Sequence, residues 1–297
     1  MTREAKNVLV GTSLDASSDP IVRTGARIAR RLGAGLHLFH AHSLPVAYFA
    51  GPTGMTTISP DLLETERQVR RQLLDEQLGR VGIAASEVAG TVIEAGAPHR
   101  MLLETAASLA ADVIVVGSSE TPGRVIHGTT TDRVLRKASC PVWVLHGPSR
   151  LPPRRILGPV DLSPLSAECL RRGLVLVDEL HGEPPEIDLL FVLTREELES
   201  SRQFSAEQIE RMAHEELERF ASGLDRGGST VHRKVRIGDE IRQEILSEID
   251  ETPTDLLLLG THGRSGFERF LIGSVASDMA SRAPCDVLII PPEEAAD

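Results

Sequence analysis

Near the carboxyl end of the chain, Asp255-Leu-Leu-Leu-Leu-Gly260 is followed by Thr-His262-Gly263-Arg264 and then, nine residues past Gly263, by Gly273-Ser274-Val275. Four leucines with no polar alternation predict a short strand buried on both faces. The apolar-periodic segment from Val275 to Ala283 predicts a helix, with Ser274 as its opening residue and cap. Strand, glycine loop and helix start together make a place for an anion. The first-turn N–H groups, those of Ser274 and Val275 among them, lack intrahelical acceptors, and the helix dipole adds roughly half a positive charge there. Glycines at 260, 263 and 273 let the backbone approach a ligand with no Cβ between. The Ser274 hydroxyl can donate or accept, and His262 and Arg264 add positive charge within the loop. The chemistry implied is phosphate binding. The spacing is neither Gly-x-x-x-x-Gly-Lys-Ser/Thr nor Gly-x-Gly-x-x-Gly, so the two common phosphate fingerprints do not apply.

The elements that must position this loop occur twice. Asp112-Val-Ile-Val-Val-Gly117 mirrors Asp255–Gly260; Gly128-Thr129 with the later Cys140 mirrors Gly273-Ser274 with Cys285; Leu14-Asp15-Ala-Ser17 is matched to Val160-Asp161-Leu-Ser163. Strands are predicted near 7–12, 36–42, 88–95, 112–117 and 141–146, and again near 155–160, 187–193, 230–237, 254–260 and 286–290. Helical stripes lie between them: Leu62, Leu63, Val69, Leu73, Leu74 and Leu78 in one half, and Ile209, Met212, Ala213, Leu217, Phe220 and Leu224 in the other. Alternation of strands and helices gives an α/β class with parallel sheets covered on both faces. The proline-rich stretch from Gly147 to Arg155 separates a domain of residues 1–147 from one of residues 148–297.

Counted out, the loop is Gly-x2-Gly-x9-Gly-Ser, and it resembles the nucleotide-binding signature of the universal stress protein family. The resemblance extends over the chain in two copies. It implies two tandem open five-stranded sheets of order 3-2-1-4-5, Rossmann-like and similar to the adenine nucleotide alpha hydrolases. It implies ATP as ligand, with or without magnesium, in the crevice between strands 1 and 4. Asp161 would then accept hydrogen bonds from ribose or adenine, and the Val192 backbone would contact adenine. Taken without the loop, Asp161 reads equally as the N-cap of the following helix. Family members pair their fifth strands, so Pro141–Leu145 and Asp286–Ile290 could pair as a pseudo-dimer within one chain; a homodimer of whole chains is left open, and the protein partner is not named by the sequence. In the first half Glu120 stands where the second glycine should be, and the loop is shorter, although Asp15 and Gly128-Thr129 are retained. Only the second half is expected to hold nucleotide.

A net charge of -11 argues against nucleic acid or an anionic membrane as partner. Aromatics at 3% leave the core to aliphatic side chains. No apolar run reaches the roughly 18 residues of a membrane helix, and no signal-peptide core precedes the first strand, so a cytoplasmic location is expected. Cys140, Cys169 and Cys285 form no Cys-x-x-Cys pair and read as small buried residues. His40 and His42 share a strand face and His37 takes the other, which reads as strand surface and not as a metal site. No nucleophile and base stand at catalytic spacing. The functional expectation is an ATP-binding stress-response regulator without efficient turnover; a slow ATPase or autophosphorylating enzyme, and a scaffold with vestigial pockets, are the alternatives.

Overall fold

A computed structural model describes residues 6–42, 60–118, 130–200, 203–224, 228–261 and 272–292; for 60–63 it describes the backbone alone. His262, Gly263, Arg264, Glu120, Gly128, Thr129 and the segment 43–59 lie outside the described residues, as do the side chains of Leu62 and Leu63. The chain divides into two compact units, Met1–Gly117 and Ser118–Asp297.

The first unit contains strands β1 (Asn7–Gly11), β2 (Gly35–His42), β3 (Val88–Ala95) and β4 (Val113–Gly117) and helices α1 (Asp19–Leu32), α2 (Pro60–Val81) and α3 (Pro98–Ser108). Its strands run parallel in the order β3-β2-β1-β4. In the second unit, α4 (Thr130–Leu135) and β5 (Val142–Leu145) precede β6 (Arg155–Val160), α5 (Pro164–Asp178), β7 (Glu186–Thr194), α6 (Arg195–Ser200), α7 (Ala206–Ser222), β8 (Thr230–Gly238), α8 (Ile241–Glu251), β9 (Leu256–Gly260), α9 (Ser274–Arg282) and β10 (Asp286–Ile290). Its strand order is β5-β10-β9-β6-β7-β8, parallel throughout except that β5 runs antiparallel to β10. From β10 to β8 this is the expected doubly wound order.

The division between the compact units falls before β5, at Gly117. The reason is hydrogen bonding: β5 pairs with β10 through Val144 and Val287, Trp143 and Leu288, and Val142 and Ile289. The fifth strands of the two repeats therefore share one sheet, as the family resemblance implied, and each covers an edge of the other.

Both sheets owe their parallel form to strands that are apolar on both faces. Leu256 to Leu259, Val287 to Ile290 and Val8 to Val10 are all buried. Helix α5 lies so close to β9 that a Cβ added at Gly173 would collide with Leu258, and in the first unit a Cβ at Gly25 of α1 would collide with Val10. Two stripe residues are corrected: Val69 is 45% exposed and Met212 is 47% exposed. The buried stripes are set by Leu74 and Leu78 in α2 and by Ala213, Leu217 and Ala221 in α7. Five residues from Leu74 turn Val69 about 140° away, and one residue from Ala213 turns Met212 about 100° away, so neither can share the core face.

Asp286 opens β10 and is buried, its Oδ1 accepting from the His146 N–H at 3.2 Å. Burial raises its carboxyl above the ordinary range, so the folded chain favours the protonated acid. The sign follows by linkage: the contribution is present below the unfolded value of about 4 and is lost as pH rises through the folded value. Asp286→Asn keeps the acceptor and removes the titration. Urea unfolding of both proteins from pH 4 to 7 should show wild type losing stability relative to the variant as pH rises; a constant difference would refute this.

Candidate functional site

At the carboxyl end of β6 the chain turns through Asp161, Leu162 and Ser163 into α5. Leu162 sits in the left-handed region at φ 64. Ser163 is the helix cap, its Oγ accepting from the Ser166 N–H at 3.1 Å. Asp161 is not the cap: its Oδ1 accepts from the Ser163 N–H at 3.0 Å and from the Ser163 hydroxyl at 2.7 Å. The residue that holds the helix and the carboxylate that lines the cleft are thus different groups, joined by two hydrogen bonds.

One strand away, β9 ends at Gly260. The Thr261 N–H donates to Ile290 O at 3.1 Å, and the Gly273 N–H donates to Thr261 O at 2.5 Å, which ties the two ends of the intervening loop together. Closure at this neck needs a small residue, since a Cβ on Gly273 would lie 3.3 Å from Thr261 O. Gly273 is the N-cap of α9 and supplies no side-chain hydrogen bond. This corrects the expected capping role of Ser274, which is the first helical residue and is exposed. Without a cap side chain, the first-turn N–H groups are left for solvent or ligand.

Between these two ends lies a cleft of about 360 Å³. Its apolar wall comes from Pro159 and Val160 of β6, Leu190, Phe191 and Val192 of β7, Ile241 and Ile245 of α8 and Leu259 of β9. Gly260, Thr261 and Gly273 to Ala276 line the β9–α9 side, and Asp161, Ser166 and Glu197 supply further polar groups. Asp161, Val192, Gly260, Gly273, Ser274 and Val275, all singled out by sequence, are therefore gathered around one cleft; His262, Gly263 and Arg264 lie outside the described residues. Among the described lining residues Asp161 and Glu197 are the only ionisable ones, and no Lys, Arg, His or Cys is present.

Sequence reasoning missed Glu197, Ile241 and Ile245. Glu197 had a readable signal, the Thr-x-x-Glu of a capping box. Thr194 Oγ1 accepts from the Glu197 N–H at 3.2 Å, while Glu197 Oε2 accepts from the Thr194 N–H at 2.8 Å and hydroxyl at 2.9 Å. The isoleucines carry no such signal, because an apolar residue on a helix reads the same whether it faces core or cleft.

The remaining candidates resolve as structure. His40 and His42 stack with ring centroids 6.1 Å apart, and His40 Nδ1 lies 2.9 Å from Thr12 O. Burial lowers the basicity of both rings. His37 Nε2 lies 3.0 Å from Asn7 Oδ1. Among the described residues no group of three or more His, Cys, Asp or Glu side chains is placed to hold a metal ion. Burial pushes the Cys169 thiol up to about 11 and that of Cys285 to about 12, whereas Cys140 is only half-buried, contrary to expectation. Among the described residues no helix is long and apolar enough to cross a membrane.

A doubly wound sheet with an apolar cleft at its strand ends, a carboxylate on one flank and an uncapped helix start on the other, defines an α/β domain with a ligand-sized cleft at the usual place for this topology. The chain belongs to the universal stress protein family: the family model matches twice, at residues 4–146 and 153–291. A universal stress protein of Mycolicibacterium smegmatis is 31% identical over 310 residues, spanning 96% of this chain and 97% of its own length. One from Mycobacterium tuberculosis is 23% identical over 290 residues, with 95% of each chain covered. In fold, the crystal structure of a universal stress protein from Archaeoglobus fulgidus superposes with a TM-score of 0.65 at 16% identity, over 97% of this chain and 99% of that one.

The Asp161–Ser163 pair gives a stability prediction. Ser163→Ala removes the cap on α5 and the hydroxyl donor to Asp161, leaving the backbone N–H in place, and should cost about 1 kcal/mol in urea unfolding. A loss below a few tenths of a kcal/mol would show that the cap is not used.

Proposed function

We propose that the second repeat binds one adenine ribonucleotide per chain, with ATP as the physiological ligand, and that binding without efficient turnover is the activity of the site. The observation that carries this is the spacing of polar groups along the cleft. In the order β9-β6-β7, neighbouring strands lie about 4.8 Å apart. The uncapped α9 start follows β9, Asp161 follows β6 and the apolar Phe191–Val192 end belongs to β7. Phosphates, ribose and base of a nucleotide succeed one another on the same scale. N–H groups thus meet the phosphates, a carboxylate meets the ribose hydroxyls, and an apolar slot meets the base. A magnesium ion would be held chiefly by the phosphates, since the described lining offers only Asp161 and Glu197 as hard ligands.

Phosphoryl transfer needs a positioned nucleophile as well as charge neutralisation, and the sequence offers no nucleophile and base at catalytic spacing, which supports the binding reading. The family's domain division supports assigning residues 148–297 as the binding repeat and 1–147 as the degenerate one, with Glu120 in the shorter loop opposing phosphate. Regulation of a protein partner in the cytoplasm is the role this reading gives to nucleotide occupancy.

Calorimetric titration with ATP should give a stoichiometry of one per chain, and mass spectrometry should find adenine nucleotide carried through purification. Two equivalent sites would refute the asymmetry, and no binding at all would refute the function. Gly263→Asp, which places a carboxylate where the first repeat has Glu120, should weaken binding at least about fivefold, from a repulsion of about 1–4 kcal/mol. Incubation with γ-labelled ATP and magnesium should release or transfer no label above background.

A further inference from the structure

The hydrogen-bond register aligns the two repeats differently from their sequence. In the first unit the Asn7 N–H donates to Asp112 Oδ2 at 2.7 Å; in the second the Arg155 N–H donates to Asp255 Oδ2 at 3.1 Å. Val8 then pairs with Val113 as Ile156 pairs with Leu256. Asn7 is thus equivalent to Arg155, and counting forward places Ser13 opposite Asp161, Leu14 opposite Leu162 and Asp15 opposite Ser163. Backbone conformation agrees: Leu14 and Leu162 are the left-handed residues of their turns, at φ 68 and φ 64. So does packing, for Gly25 and Gly173 fall in the same register and each marks the contact of helix with sheet.

Asp15 is therefore not the counterpart of Asp161. It caps the 3-10 turn Ala16–Ser18 that leads into α1, its Oδ1 accepting from the Ser17 N–H at 2.9 Å and the Ser17 hydroxyl at 2.5 Å, and it is exposed. Hydrogen bonds from Ser17 hold its carboxyl below the ordinary range, with Ser13 contributing as well. The first repeat reads Ser-Leu-Asp where the second reads Asp-Leu-Ser. In both turns one hydroxyl and one carboxylate flank a left-handed leucine and interact with each other, but their order is reversed.

We propose that this reversal is a selector, which admits a ribonucleotide to the second repeat and denies it to the first. The inference rests on the nucleotide reading above and names the residues that decide it. With Asp-Leu-Ser, the carboxylate faces the cleft as an acceptor for the ribose diol and the hydroxyl caps the helix. With Ser-Leu-Asp, the carboxylate is spent on capping and a neutral hydroxyl takes the ribose position. The first turn is also fastened from behind by α2. Gln77, 0% exposed, bonds through its Oε1 to the Thr12 hydroxyl at 2.8 Å and through its Nε2 to Asp15 O, Ser18 Oγ and Asp19 Oδ1. Arg80 bridges Asp19 at 3.0 Å and donates to Leu14 O at 3.3 Å. That turn keeps its shape through protein contacts alone.

The test is the exchange Asp161→Ser/Ser163→Asp in the full chain, a turn whose foldability the first repeat already demonstrates. ATP and 2′,3′-dideoxy-ATP are titrated into wild type and variant, with thermal unfolding as the folding control. Wild type should prefer ATP by about tenfold or more, the effect of losing a charge-assisted hydrogen bond. In the exchange variant ATP affinity should fall at least about tenfold and the preference should collapse toward unity. If the exchange unfolds the protein, Asp161→Asn, which keeps volume and an acceptor, is read by the same ratio. Wild-type affinity and preference in a folded variant would overturn the selector while leaving the functional reading intact. A wild-type protein that binds neither nucleotide would overturn both.

Discussion

A parallel strand that is apolar on both faces has nowhere to place polar chemistry except at its ends, and this constraint governs the second unit of the molecule. Leu256 to Leu259 and Val287 to Ile290 are buried along their whole length, so the side chains there serve the core, with Leu259 also walling the cleft. Chemistry is displaced to the residues just past the strands: Asp161 after β6, Gly260 and Thr261 after β9, Phe191 and Val192 toward the end of β7. Because the crossovers are right-handed and the strands parallel, those ends lie on the same side of the sheet. The cleft is a consequence of this displacement.

The chain's overall charge of -11 sets the second condition. An anionic ligand must be held by groups whose local field outweighs a repulsive background, and a helix start does so because its N–H groups act at hydrogen-bond distance while distant carboxylates are screened by salt within about 8–10 Å. It matters that α9 is capped by glycine. A serine or aspartate at Gly273 would satisfy the first-turn donors internally and compete with any ligand for them. The missing cap is thus a stability cost at one helix end that leaves its donors available, the arrangement an anion site requires.

Much of this was legible from residue types. Strand positions follow from apolar runs, while the doubly wound order and the pairing of fifth strands were what the family resemblance implied, with the covering of an edge as the physical reason for the pairing. The part that was not legible was the equivalence of the repeats. Matching Asp15 to Asp161 is natural when like residues are aligned, since both are aspartates next to a leucine near the end of a first strand. Hydrogen-bond register places Asp15 opposite Ser163 instead: the equivalence runs without a gap from Asn7 and Arg155 to Gly25 and Gly173, and matching like residues slips it by two positions. Helix stripes failed at Val69 and Met212 for a related reason: an apolar residue within the period is not fixed to the core face until neighbours such as Leu74 and Ala213 define where that face lies.

The turn after the first strand also shows why a helix cap and a ligand site compete for the same few residues. A cap requires a side-chain acceptor at one position; a ribose requires an acceptor two positions earlier, on the other side of a left-handed residue. Serine and aspartate both serve as caps, with nearly equal preference. Helix stability alone therefore does not decide between Ser-Leu-Asp and Asp-Leu-Ser, and exchanging them changes the fold little while moving a full negative charge from one side of the turn to the other. A duplicated domain can lose or gain a ligand at such a point without passing through an unstable intermediate, since each order keeps the helix capped and the hydroxyl and carboxylate within reach of each other. In this chain both orders are present, each in the setting that suits it: Asp161 beside an open cleft, and Asp15 in a turn already held in place by Gln77 and Arg80.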